Sequence, residues 1–100
     1  MRRATSHSFT WKLPKYADDY SEILVTLEQN GEIILNKTKN DLEIDENKVV
    51  LILTQEETLM FEAGVPAYIQ MRAYNSPKDA PGSKVWKIPV YRSLNEEVLA

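Results

Sequence analysis

The chain contains no cysteine. That absence excludes a disulfide framework, a thiolate metal site and a cysteine nucleophile together, so the fold has to be held by its core. Histidine is nearly absent too, since His7 is the only one. No serine, carboxylate or cysteine pattern around it assigns it a catalytic role, and a zinc site would have to rely on carboxylates alone, which zinc proteins rarely do. Neither a metal nor a cofactor is expected.

Long apolar runs are also missing. No window approaches the roughly 18 apolar residues of a membrane-spanning helix. The opening Met1-Arg2-Arg3-Ala4-Thr5-Ser6-His7-Ser8-Phe9 has no apolar stretch long enough for a secretory signal. The expectation is a protein made and kept in the cytoplasm, unless it leaves in a larger particle, with no membrane partner. Positive charge is in short supply as well: 12 Lys and Arg stand against 15 Asp and Glu, for a net charge of −3. Phosphate neutralisation needs a basic stripe, so no nucleic-acid partner is expected. Arg2 and Arg3 cluster only at the extreme N-terminus, where a flexible, solvated end is the expectation, and no role is assigned to them.

With 43% hydrophobic and 27% charged residues, the 100-residue chain is close to the globular average. One domain over residues 1–100 with one core is expected, burying roughly two-thirds of the unfolded surface.

What the chain does have is period two, as strands with one face on a core require. Phe9, Trp11 and Leu13 alternate with Ser8, Thr10 and Lys12 before Pro14 removes a backbone donor, which predicts a first strand over 7–13. Ile23, Val25 and Leu27 share a face within 22–29. Asn30-Gly31 follows, and both central residues of a type I′ turn need positive φ, which these two tolerate best; 32–37 is then the antiparallel partner. A short strand over 42–44 and the polar turn Asp45-Glu46-Asn47 lead to 48–54, where Val49, Leu51 and Leu53 share one face and Val50 and Ile52 the other. A strand apolar on both faces is expected to be central and covered on its second side.

Thr54 and Glu57 stand in capping-box spacing, so 55–61 reads as one helical turn whose Leu59, Met60 and Phe61 fold back onto the core, ending at Gly64. Residues 67–74 alternate again, a polar loop covers 75–83, and 85–91 is the last strand, with Trp86, Ile88 and Val90 inward and Pro89 at an edge or bulge. Ser93 and Glu96 repeat the capping-box spacing, predicting a helical turn in the tail. About seven short antiparallel strands with turn signals between them make an all-β, immunoglobulin-like β-sandwich, with a small barrel as the alternative.

Candidate sites are few. The acids of 41–47 alternate as a calcium loop would, but the glycine and closing glutamate of an EF-hand are missing, and strand alternation explains the spacing. Asn36-Lys37-Thr38 matches a glycosylation acceptor without a secretory signal. Glu56 with Glu57, and Glu96 with Glu97, are adjacent carboxylates that point in different directions, with no polar pocket implied. Trp11 and Trp86 read as core anchors rather than sugar platforms. Tyr68 and Tyr74, outward beside Gln70 and Arg72, suit a partner contact, because aromatics and arginine are enriched at interfaces. The 75–83 loop, with Lys78 and Asp79, is the other candidate, since loops at sandwich ends commonly carry binding. The expected partner-binding set is therefore Tyr68, Arg72, Tyr74, Lys78 and Asp79.

Three segments carry a resemblance: the opening through Trp11, Leu-Thr-Gln-Glu-Glu-Thr-Leu-Met-Phe at 53–61, and Ile-Gln-Met-Arg at 69–72. They resemble a family of small proteins from bacteriophages and prophages of Firmicutes, similar in size and strand pattern to the immunoglobulin-like N-terminal domains of phage baseplate upper proteins. The resemblance runs over almost the whole chain, departing at Asn75–Ser83 and in the Asn-Glu-Glu-Val-Leu-Ala end. It implies a structural or accessory protein of a virion, of tail or baseplate type, with other phage structural proteins or a second copy as partners and no catalytic residue. A carbohydrate-binding module is the alternative. An enzyme is disfavoured, because a nucleophile with its base and a cofactor motif are both missing.

Overall fold

The computed structural model describes residues 1–14, 16–75 and 85–99. Among the described residues seven strands form: β1 (His7–Lys12), β2 (Glu22–Gln29), β3 (Glu32–Thr38), β4 (Glu43–Asp45), β5 (Lys48–Leu53), β6 (Ala67–Tyr74) and β7 (Trp86–Ile88). One short helix, α1 (Gln55–Thr58), lies between β5 and β6, and single 3-10 turns occupy Ala17–Asp19 and Lys39–Asp41. The strands make two antiparallel sheets, one ordered β1-β5-β4 and the other β3-β2-β6-β7. Three connections, β1 to β2, β3 to β4 and β5 to β6, cross from one sheet to the other, so chain neighbours are joined across the core.

Alternation decides which side chains meet there. Ile23, Val25 and Leu27 of β2 and Val49, Leu51 and Leu53 of β5 are fully buried, facing one another from the centres of the two sheets. Each such side chain contributes about 1.5–3 kcal/mol by leaving water. Asn30 and Gly31 take φ of 54° and 78°, so both turn residues have the positive φ that a type I′ hairpin needs. Farther along that hairpin Leu27 pairs with Leu35 but Glu28 pairs with Ile33. Ile34 is therefore an extra residue, a bulge in the edge strand.

The α1 cap forms as its spacing predicts. Thr54 Oγ1 accepts from the Glu57 N–H, and the Glu57 carboxylate accepts from the Thr54 N–H. The turn that follows drops Phe61 into the core, whereas Met60 stays exposed.

Three expectations need correction. The N-terminal segment is not a free end: Arg2 bridges Tyr91 in parallel, the Arg3 N–H donates to the Tyr91 carbonyl at 2.8 Å, and Tyr91 N–H donates to the Met1 carbonyl at 2.8 Å. Met1 and Ala4 are buried, Arg2 lies over the Tyr91 ring, and Arg3 pairs with Glu96 at 2.6 Å. The tail, 93–99, forms no helical turn. Its polar groups are engaged elsewhere: Ser93 Oγ donates to the Arg3 carbonyl, and the Leu99 N–H donates to Gln55 Oε1. Finally, β5 is central in its sheet, but Ile52 on its second face is 45% exposed, because nothing among the described residues covers that side.

Candidate functional site

Two surfaces present side chains in an arrangement that could hold a partner. The first is the outer face of the four-stranded sheet. Antiparallel register lines its residues into rows: Lys87, Tyr68 and Glu28 in one, Gln70, Thr26 and Asn36 in the next, then Arg72 with Leu24, and Tyr74 with Glu22. Tyr68, Arg72 and Tyr74 thus share the outward parity of β6, all half-buried among their neighbours. Thr26 Oγ1 donates to Asn36 Oδ1 at 2.7 Å, tying β2 to β3 within their row. Lys78 and Asp79 lie outside the described residues.

The second surface is a cleft of about 380 Å³ between the outermost strands of the two sheets, lined by Phe9, Thr10, Trp11, Ile69, Trp86, Lys87 and Ile88. It exists because β1 ends one sheet and β7 ends the other on the same side of the sandwich. Strand alternation turns Phe9, Trp11 and Trp86 toward it. Trp11 packs against Phe9, with ring centroids 6.3 Å apart, and against Trp86 at 6.4 Å. Trp11 is the core anchor its position predicts. Trp86 is not: at the margin of its sheet, with no strand beyond it among the described residues, it is left 40% exposed.

The remaining polar candidates serve the fold. Asp41 caps its 3-10 turn, and the Thr38 N–H and hydroxyl hold its carboxyl below the usual range. Glu43 and Asp45 are exposed on β4. Burial pushes the Glu57 carboxyl up, but the Lys37 ammonium and the Thr54 N–H outweigh it and leave the pKa lowered. His7 lies against the Phe9 ring, and burial lowers its pKa. Among the described residues no group of three or more His, Asp or Glu is placed to share a metal ion.

One polar residue escaped sequence reasoning. Gln29 is 4% exposed and makes three hydrogen bonds to the turn after α1: its Nε2 donates to the carbonyls of Glu62 and Val65, and its Oε1 accepts from the Glu62 N–H. The signal was parity, because position 29 continues the buried series 23, 25 and 27, where a polar side chain must find partners.

No protein-family model matches the chain, and no curated protein matches it at a significant level. Among solved structures, the immunoglobulin-like domain of mouse leukocyte-associated immunoglobulin-like receptor 1, a strand-swapped dimer, superimposes with a TM-score of 0.56 at 13% identity, over 90% of this chain and 83% of that one. The extracellular domain of the same receptor, also strand-swapped, gives 0.53 at 14% identity with the same coverage, 90% and 83%. In that fold one sheet runs A-B-E-D and the other C′-C-F-G. Here β1-β5-β4 takes the places of B, E and D and β3-β2-β6-β7 those of C′, C, F and G, so the chain has the immunoglobulin-like sandwich fold, with no described strand in the place of A.

Proposed function

We propose that this domain is a non-catalytic protein–protein interaction module, made in the cytoplasm and carried into a phage or prophage virion as a structural or accessory component of tail or baseplate type. The observation that carries the interaction reading is the open part of the sandwich margin, where β1 and β7 (Trp86–Ile88) both lack an outer strand among the described residues, the N-terminal segment covering only the continuation at Tyr91, and aromatic rings line the gap. The resemblance of residues 1–11, 53–61 and 69–72 to phage and prophage proteins supports the virion setting. Strand exchange in the receptor domain that shares the fold supports association through strands. Tyr68, Arg72 and Tyr74 offer a second contact face, and the 75–83 loop with Lys78 and Asp79 a third.

Co-purification of the tagged protein with the products of the neighbouring structural genes tests this reading. Stable, stoichiometric capture of one of them is the expected result. A protein that binds none of them and never associates with itself would remove the basis of the proposal.

One observation favours a second reading. The exposed Trp86, beside Trp11 and Phe9 in a cleft of about 380 Å³, suits stacking against a sugar ring. Saturable quenching of Trp86 fluorescence by an oligosaccharide would favour a carbohydrate-binding module.

A further inference from the structure

An outermost strand that is long, regular and uncharged is an open template for pairing, and folds usually blunt such strands. Among the described residues, three of the four outermost strands are blunted. The short β4 carries Glu43 and Asp45, β7 is short and stops at Pro89, and β3 combines Glu32 and Lys37 with the bulge at Ile34. β1 is the exception. It pairs with β5 without interruption from His7 to Lys12, and its central Ser8, Phe9, Thr10 and Trp11 carry no charge, no proline and no bulge.

The backbone of β1 also has a defined outward set. Leu13 N–H donates to the Asn47 carbonyl at 2.7 Å, so Leu13 points toward β5. Antiparallel pairing alternates, and Trp11, Phe9 and His7 therefore point toward β5 as well. Ser8, Thr10 and Lys12 direct their N–H and C=O groups away from it. This is the side on which strand A lies in the immunoglobulin-like fold, so a strand added here finds twist and spacing that the architecture already accommodates.

The geometry points to a second copy of this chain as that strand, with β1 pairing antiparallel to its own equivalent across a two-fold axis at Thr10. This rests on the interaction-module reading and names one partner for it. In this register Thr10 faces Thr10 of the second copy and Ser8 faces Lys12, so the outward backbone groups of Ser8, Thr10 and Lys12 all find counterparts. Thr–Thr pairs are favourable across strands. Phe9 then faces Trp11 of the second copy on the inner side, where the cleft beside Trp86 receives the added rings. Charge selects the antiparallel sense: the two Lys12 side chains stand at opposite ends of the pair, about 13 Å apart along the strands, whereas a parallel in-register pair would set them side by side. The two three-stranded sheets join into one continuous sheet, a self-complementary contact of the kind closed two-fold dimers use.

The test is light scattering across a concentration series, with three variants. The unmodified chain is expected to move from 11.5 kDa toward twice that mass. Thr10→Pro removes the outward donor at the axis but no bond to β5, so its circular dichroism stays that of the parent while association weakens about tenfold or more. Thr10→Lys sets two ammonium groups face to face, is free of any backbone constraint, and should stay monomeric. Thr10→Cys provides the only thiol in the chain and is expected to cross-link the dimer on oxidation, while Ser8→Cys, opposite Lys12, does not. A mass fixed at 11.5 kDa at every concentration overturns the inference, as does a dimer indifferent to Thr10→Lys, or cross-linking of Ser8→Cys without Thr10→Cys. Capture of a neighbouring gene product by a strictly monomeric protein would overturn self-pairing and leave the interaction-module reading standing.

Discussion

Gln29 and Glu62, 33 residues apart, exchange two hydrogen bonds: the Glu62 N–H donates to Gln29 Oε1 at 2.7 Å and Gln29 Nε2 returns a bond to the Glu62 carbonyl at 2.9 Å. A third bond, to the Val65 carbonyl, makes this side chain the tie between the end of β2 and the turn that closes at Gly64. Gln29→Leu keeps the volume but takes the partner from one N–H and two carbonyls of the part-buried turn. The expected cost is about 2–4 kcal/mol, read as a lower urea midpoint with an unchanged slope. Gln29→Glu should be worse, because it removes the donor and buries a charge.

The ion pair between Lys37 of β3 and Glu57 of α1 makes stability depend on acid. The Glu57 pKa is lowered in the folded state, so the unfolded chain binds the proton more readily. The contribution is fully present above the ordinary carboxylate pKa of 4.5 and is lost as pH falls through the lower folded value. Glu57→Gln should cost about 1 kcal/mol at neutral pH through the weakened cap and lost pair. Its thermal midpoint should also fall less steeply with acid than that of the parent.

The two tryptophans should separate in quenching. With Trp86→Phe, the remaining Trp11 is shielded and emits to the blue; with Trp11→Phe, the remaining Trp86 is open to acrylamide, with a quenching constant several times larger. Equal constants would contradict their exposures of 9% and 40%.

Thr58 is fully buried and its hydroxyl donates to the Thr5 carbonyl at 2.9 Å, pinning the N-terminal segment to α1. Thr58→Val preserves shape but leaves that carbonyl without its donor, at about 1 kcal/mol. The sharper readout is local, since trypsin should cut after Arg3 faster in the variant while the core strands stay protected.

The elements that sequence reasoning finds are those whose signal is local. Asn30-Gly31 states its own dihedral demand, Thr54 and Glu57 are three residues apart, and strand parity repeats every second residue. What it misses depends on residues far apart in the chain. Arg2 and Arg3 look like a solvated end until Tyr91 and Glu96 come beside them, and the Ser93–Glu96 spacing forms no helix where Arg3 takes the Ser93 hydroxyl and one Glu96 oxygen while Gln55 takes the Leu99 N–H. Trp86 has inward parity, but parity does not say whether a strand has a neighbour. Of the expected contact residues, Tyr68, Arg72 and Tyr74 stand on one face by parity alone, whereas the β1–β7 cleft depends on sheet order, which no single segment encodes.

The parallel bridge between Arg2 and Tyr91 has a mechanical consequence. Both segments run the same way, so tension that draws the N-terminal end backward and the C-terminal end forward slides one along the other instead of peeling them apart. The Met1–Tyr91 and Arg3–Tyr91 backbone bonds and the Arg3–Glu96 pair then bear the load together, and the domain resists stretching at its two ends before any core strand is disturbed.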